Sequence, residues 1–172
     1  MTTETVTILV QALQITVATS LIFIGGLSSC LSLWIMPLTT LLPPHLAASQ
    51  FTQTVTWGSQ YLQPTSRLLA ASLLLTTLLT YCLPTPEHAA AWPYWAAALA
   101  VLLPVAPYEV IFIFPINERV QAIAGALEGG GDEKGAKREL VVLLQQWRVR
   151  NYGRVGMPVV AGVVAWCGVV RG

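Results

Sequence analysis

Four side chains stand out as able to do chemistry: Asn117, Trp147, Asn151 and Arg154. They fall between Pro107 and Arg154, where most of the polar residues of an otherwise apolar chain collect. Glu109 is a carboxylate inside an apolar segment, and Arg67 opens another such segment. Polar residues in a membrane interior are costly and usually turn inward, so these side chains could line a pocket, with His45, Trp57 and Tyr61 close by. Such a pocket suits a planar, partly polar small molecule. Asparagines would bond its oxygens, arginines would favour an anionic form, and aromatic rings would stack on its faces. The same residues also admit a structural reading: Glu109 pairs with Arg67 or Arg154 to hold helices in register, and Asn117 caps a helix after Pro115. Arg148 and Arg150 then touch lipid phosphates, and Trp57 and Tyr61 anchor at the membrane interface.

The elements that must position these residues follow from composition. Of 172 residues 55% are hydrophobic and 10% charged, against about 25% charged in a soluble domain. The net charge of +1 excludes an electrostatic claim on nucleic acid. No charged residue occurs between Thr5 and Ser66. A run of roughly 20 apolar residues crosses a hydrocarbon core, which predicts four spans at about 6–36, 64–83, 92–114 and 152–171 in one membrane domain. The fold class expected is an all-α integral membrane four-helix bundle. Pro37 is read as ending the first span. Pro43 and Pro44 make a loop or broken segment, and Ser49 to Tyr61 could be a helix at the interface. Pro104 and Pro107 are expected to kink or break the third span. Gly129 to Gly131 mark a solvated loop. Leu140, Leu143, Leu144, Trp147, Asn151 and Arg154 recur on one helical face, so an amphipathic helix over about 136–151 runs into the last span.

Basic residues set the orientation. Arg67, Arg119, Lys134, Lys137, Arg138, Arg148, Arg150 and Arg154 share one side, with only Arg171 on the other. The positive-inside rule makes the first side, with its Gly-rich loop, cytoplasmic and puts both termini outside or in a lumen. Gly25, Ser29 and Ser32 form a small-residue face suited to helix packing or a homo-oligomer. Cys30, Cys82 and Cys167 match no metal-binding spacing and read as buried small hydrophobes. No metal constellation, phosphate loop, dinucleotide fingerprint or nucleophile elbow is present. His45 and His88 fall on opposite sides and cannot share a metal; a haem held by His45 stays open.

PYEVIFIFPINERV, followed after about thirty residues by LLQQWRVRNYGRVGMPVVAGVV, resembles the anthrone oxygenase-like family of small membrane proteins. That family carries Pro-x-Asn-x-x-Leu at the end of a third helix and Trp-x-x-x-Asn-x-x-Arg entering the fourth. The matching residues are Pro115, Asn117 and Val120 (Val for Leu), then Trp147, Asn151 and Arg154. Gly25 or Gly26, Pro37, Trp57, Tyr61 and Pro64 follow the family more loosely. The resemblance implies an oxygenase that turns an anthrone-like, phenolic polycyclic substrate into a quinone with molecular oxygen and no recognised organic cofactor. It implies Arg154, Asn151 and Asn117 as donors to an oxyanion and Trp147 as part of a dry aromatic slot. Glu109 and His45 are then the candidate bases, although the family carries a hydroxyl residue near the Glu109 position. A fungal pathway would place the protein in the endoplasmic reticulum or another endomembrane. The rival reading is a non-catalytic protein that binds a lipid or hydrophobic metabolite, or scaffolds pathway enzymes. A transporter comes third, because no internal repeat of span pairs is visible.

Overall fold

A computed structural model of the chain describes residues 3–83 and 86–171. The described residues are helical, with no strand, and four helices are long and apolar enough to cross a membrane. We number them α1 (Thr5–Thr39), α2 (Pro44–Cys82), α3 (His88–Glu128) and α4 (Glu133–Arg171). They hold 35, 39, 41 and 39 residues, or roughly 52–62 Å each at ~1.5 Å per residue. These lengths exceed the ~30 Å of a hydrocarbon core. Four such helices fit an integral membrane protein.

Three of these helices widen by one turn. Backbone N–H groups of Met36, Gln63 and Phe114 reach back five residues to the carbonyls of Leu31, Gly58 and Glu109. The resulting π turns span Leu31–Ile35 in α1, Gly58–Leu62 in α2 and Glu109–Ile113 in α3. In each case the residue after the donor is a proline: Pro37, Pro64 and Pro115. Proline lacks an N–H, and its ring collides with the carbonyl four residues earlier. A widened turn moves that carbonyl aside, so the helix continues instead of ending.

This corrects three expectations. Pro37 does not end α1, Pro64 lies within a continuous helix, and Asn117 does not cap a new helix after Pro115. The stretch expected as a loop and a separate interface helix is the first half of α2, and only Thr40–Pro43 is left outside helix. Pro104 behaves as expected: α3 is interrupted by a turn at Leu103 and Pro104. The solvated loop before α4 shortens to Gly129–Asp132, with Gly130 at φ 82°. There Asp132 caps α4, its carboxylate accepting from the N–H groups of Lys134 and Gly135 at 2.9 and 3.1 Å.

The helices contribute to two compact units. Unit 1 comprises Met1–Gly26, Thr65–Pro104 and Gly156–Gly172, and unit 2 comprises Leu27–Pro64 and Val105–Val155. Within unit 1, Val17, Leu21, Leu73, Trp95, Ala98 and Ala165 are buried. A polar tie crosses it, with Gln14 Nε2 donating to Thr80 Oγ1 at 3.1 Å. Gly162 lets α4 approach α1, since a Cβ there would lie 2.6 Å from Ile22. Unit 2 packs around Met36, Ala48, Phe51, Ile113, Val120, Leu140, Leu144 and Trp147. All three π turns belong to unit 2.

Candidate functional site

The site in unit 2 is built outward from Trp147. Apolar residues Leu140, Leu144 and Trp147 recur along one face of α4 and bury it against α2 and α3. The indole is 2% exposed and meets the Phe51 ring edge-on at 5.6 Å. A buried indole N–H needs an acceptor, and Trp147 Nε1 donates to Asn117 Oδ1 at 2.9 Å. Because the indole nitrogen can only donate, the amide oxygen of Asn117 must face it. The amide NH₂ of Asn117 has no partner among the described residues.

Two helical turns beyond Trp147, Arg154 shares its face. Arg154 Nε lies 2.6 Å from Glu109 Oε1, with the side chains 14% and 15% exposed. Ions this well shielded need each other, because an unpaired buried charge is strongly destabilising. The pair uses one edge of the guanidinium, and its terminal NH₂ groups have no partner among the described residues. The preceding residues set this contact. Tyr108 Oη donates to the Arg150 carbonyl at 2.7 Å, and its ring crosses Gly153 so closely that a Cβ there would stand 2.6 Å away. Arg150 is also spent on α3, donating to the Phe112 carbonyl at 3.1 Å.

These groups surround two adjoining spaces. The smaller, of ≈ 40 Å³, is a recess walled by Asn117, Trp147, Arg154, Phe114, Gln63 and Thr54. The larger, of ≈ 590 Å³, is a groove between α1 and α2 whose walls include Cys30, Ile35, Gln50, Gln53, Trp57 and Tyr61. Leu31, Thr54, Gly58 and Leu62 line both. Two of the π turns therefore form the partition, and the third carries Glu109. Trp57 and Tyr61 are exposed at the rim, their rings 5.6 Å apart.

The structure thus gathers Asn117, Trp147 and Arg154 on the recess, places Glu109 against Arg154, and sets Trp57 and Tyr61 on the groove. Three other expected residues lie elsewhere. Asn151 is fully buried, and its Nδ2 donates to Ser32 Oγ at 2.8 Å and to the Ser28 carbonyl at 3.3 Å. It ties α4 to the π turn of α1 and lines neither space. Arg67 is exposed and belongs to unit 1. His45 is exposed near the start of α2, 3.9 Å from Glu133. Among the described residues, no three His, Cys, Asp or Glu side chains gather to hold a metal ion.

Sequence reasoning passed over Gln50, Gln53, Thr54, Gln63 and Ser28. A signal for the first three was present: Gln50, Gln53, Thr54 and Trp57 stand at i, i+3, i+4 and i+7, one face of a helix.

A family model described as anthrone oxygenase matches residues 51–164, most of the chain. The chain belongs to the anthrone oxygenase family. The matched stretch contains Trp57, Tyr61, Glu109, Asn117, Trp147 and Arg154. No curated protein and no solved structure matches the chain.

Proposed function

We propose that this family member is a membrane-bound oxygenase that oxidises a phenolic, anthrone-like polycycle to a quinone with molecular oxygen. The observation that carries the reading is the convergence of Asn117, Trp147 and Arg154 on one recess beside an aromatic groove. The central methylene of an anthrone loses a proton to give an anion delocalised over the rings and the carbonyl oxygen. That anion is reducing enough to pass an electron to oxygen and to combine with it at the same carbon, so the substrate itself supplies the electrons and no organic cofactor is required. The hydroperoxide formed loses the remaining hydrogen of that carbon as part of a water molecule, leaving the second carbonyl. One oxygen molecule is consumed and one water released.

The protein's part is to favour the anion. The Arg154 guanidinium and the Asn117 amide NH₂ are donors for the developing oxyanion. Trp147 keeps the recess dry, which strengthens both interactions. Glu109 Oε1 holds Arg154, and Oε2, without a partner among the described residues, is the proton acceptor in this proposal. Haem or metal chemistry is not needed for these steps.

The membrane setting fits a greasy substrate. The parts of the helices in unit 1 carry no charge between Thr5 and Gly26, from Leu68 to Cys82, from His88 to Pro104 and from Gly156 to Val170. We assign these parts to the hydrocarbon core. The charged residues Glu109, Arg148, Arg150 and Arg154 are assigned to the interface. The bias in basic residues makes the Gly129–Asp132 turn cytoplasmic and the termini non-cytoplasmic. Turnover of an anthrone under ¹⁸O₂ tests the reaction: label should enter the new quinone carbonyl, and a product without label from oxygen would reject the mechanism.

A further inference from the structure

The groove between α1 and α2 is large, and its mostly apolar wall carries two glutamine side chains. Its ≈ 590 Å³ falls within the ~300–1,000 Å³ of small-molecule sites. The recess behind it, at ≈ 40 Å³, accommodates about one water-sized group. A polycyclic ring system therefore fits only in the groove, and only one edge atom or a small molecule fits in the recess. Gln50 is half-buried and Gln53 exposed on the groove wall, and neither side-chain amide has a partner among the described residues. On a wall that is otherwise mostly apolar, these two amides are free to meet the polar atoms of an occupant. Further along the same wall stand Trp57 and Tyr61, both exposed, with their rings 5.6 Å apart.

We infer that this groove binds a planar polycycle carrying oxygen substituents on its outer rings, and that Gln50 and Gln53 select for those substituents. The inference rests on the proposed reaction for the identity of the ring system, but the site is defined by binding. Trp57 and Tyr61 cover the ring face, the two glutamine amides pair with peripheral hydroxyl or carbonyl oxygens, and the ring edge turned toward Leu31, Thr54 and Gly58 meets the recess. Gln50 and Gln53 thus set which polycycle is accepted, while Asn117 and Arg154 act on the reacting atom.

The test measures equilibrium binding of two quinones, which cannot be oxidised further at the reacting carbon, to the purified chain in lipid nanodiscs. The probes are a dihydroxyanthraquinone and unsubstituted anthraquinone, read by quenching of tryptophan fluorescence. The wild type should bind the hydroxylated probe more tightly. The double variant Gln50→Leu, Gln53→Leu should lose that preference, weakening the hydroxylated probe about tenfold and leaving the plain quinone unchanged, which also verifies its folding. An equal loss for both probes, or no loss for either, overturns the assignment. So does a groove closed to both probes by a bound lipid or by a second copy of the chain. If binding follows the glutamines but no anthrone is oxidised, the reaction fails and the groove stands. If anthrone is oxidised and the glutamines leave binding unchanged, the groove assignment fails and the reaction stands.

Discussion

Arg154 meets Glu109 at 2.6 Å one residue beyond the point where Gly153 meets Tyr108, and the two contacts depend on each other. Tyr108 can lie across α4 only because residue 153 has no side chain. That closeness sets Glu109 and Arg154 at ion-pair distance. The pair in turn leaves the outer face of the guanidinium toward the recess, where Asn117 supplies the second set of donors.

Gly153→Ala should therefore act through Tyr108. The added methyl overlaps the phenol ring and forces α3 and α4 apart, at a cost of about 1–3 kcal/mol for overpacking. A lower melting temperature together with a reduced rate is expected. Combining Gly153→Ala with Tyr108→Ala should recover part of the stability. A Gly153→Ala protein with wild-type stability and rate would show that the contact does not position the pair.

Asn117→Leu removes the acceptor from a buried indole N–H. The orphaned Trp147 Nε1 should cost about 1–3 kcal/mol, visible as a lower melting temperature in detergent. Turnover per folded molecule should fall about 10²-fold, the scale for losing one oxyanion donor. A variant that loses stability and keeps its rate would reduce Asn117 to a partner for Trp147.

Glu109→Gln preserves a polar contact to Arg154 and removes the proton acceptor. The rate near neutral pH should drop about 10²–10⁴-fold and recover as rising pH removes the methylene proton of the anthrone in solution. Full activity at neutral pH would mean that the proton goes elsewhere. A loss that no rise in pH restores would make Glu109 a positioning residue for Arg154.

Asn151→Ala should behave differently from changes at the recess. It leaves Ser32 and the Ser28 carbonyl without their buried donor, so stability should fall by about 1–3 kcal/mol. The rate per folded molecule should change much less than in Asn117→Leu. Equal rate losses at the two asparagines would move Asn151 back among the residues that touch substrate.

The four long helices were legible because charge-free apolar runs have few alternatives, and the inward face of α4 was legible from the spacing of Leu140, Leu144, Trp147 and Asn151. The Trp147 and Arg154 periodicity correctly set both residues on one face. The prolines misled, since Pro37 read as a helix end and Pro64 and Pro115 as places where a new helix starts, meanings proline usually has in a soluble chain. A π turn removes the clash and lets the helix continue, and that solution depends on neighbouring helices that local sequence does not describe. Asn151 and Arg67 carry polarity similar to that of Asn117 and Arg154. Only packing separates the asparagine that ties α4 to Ser32 from the one that turns its amide to the recess.

The most direct measurement is oxygen uptake by the purified chain in detergent, given emodin anthrone, after an absorption spectrum of the protein alone. The account predicts uptake well above the spontaneous rate, one oxygen per quinone formed, and no visible chromophore beforehand. It also predicts a fall of about 10²–10³-fold in Arg154→Ala, with membrane insertion intact. Uptake no faster than the uncatalysed reaction, or an Arg154→Ala protein as active as the wild type, would contradict it.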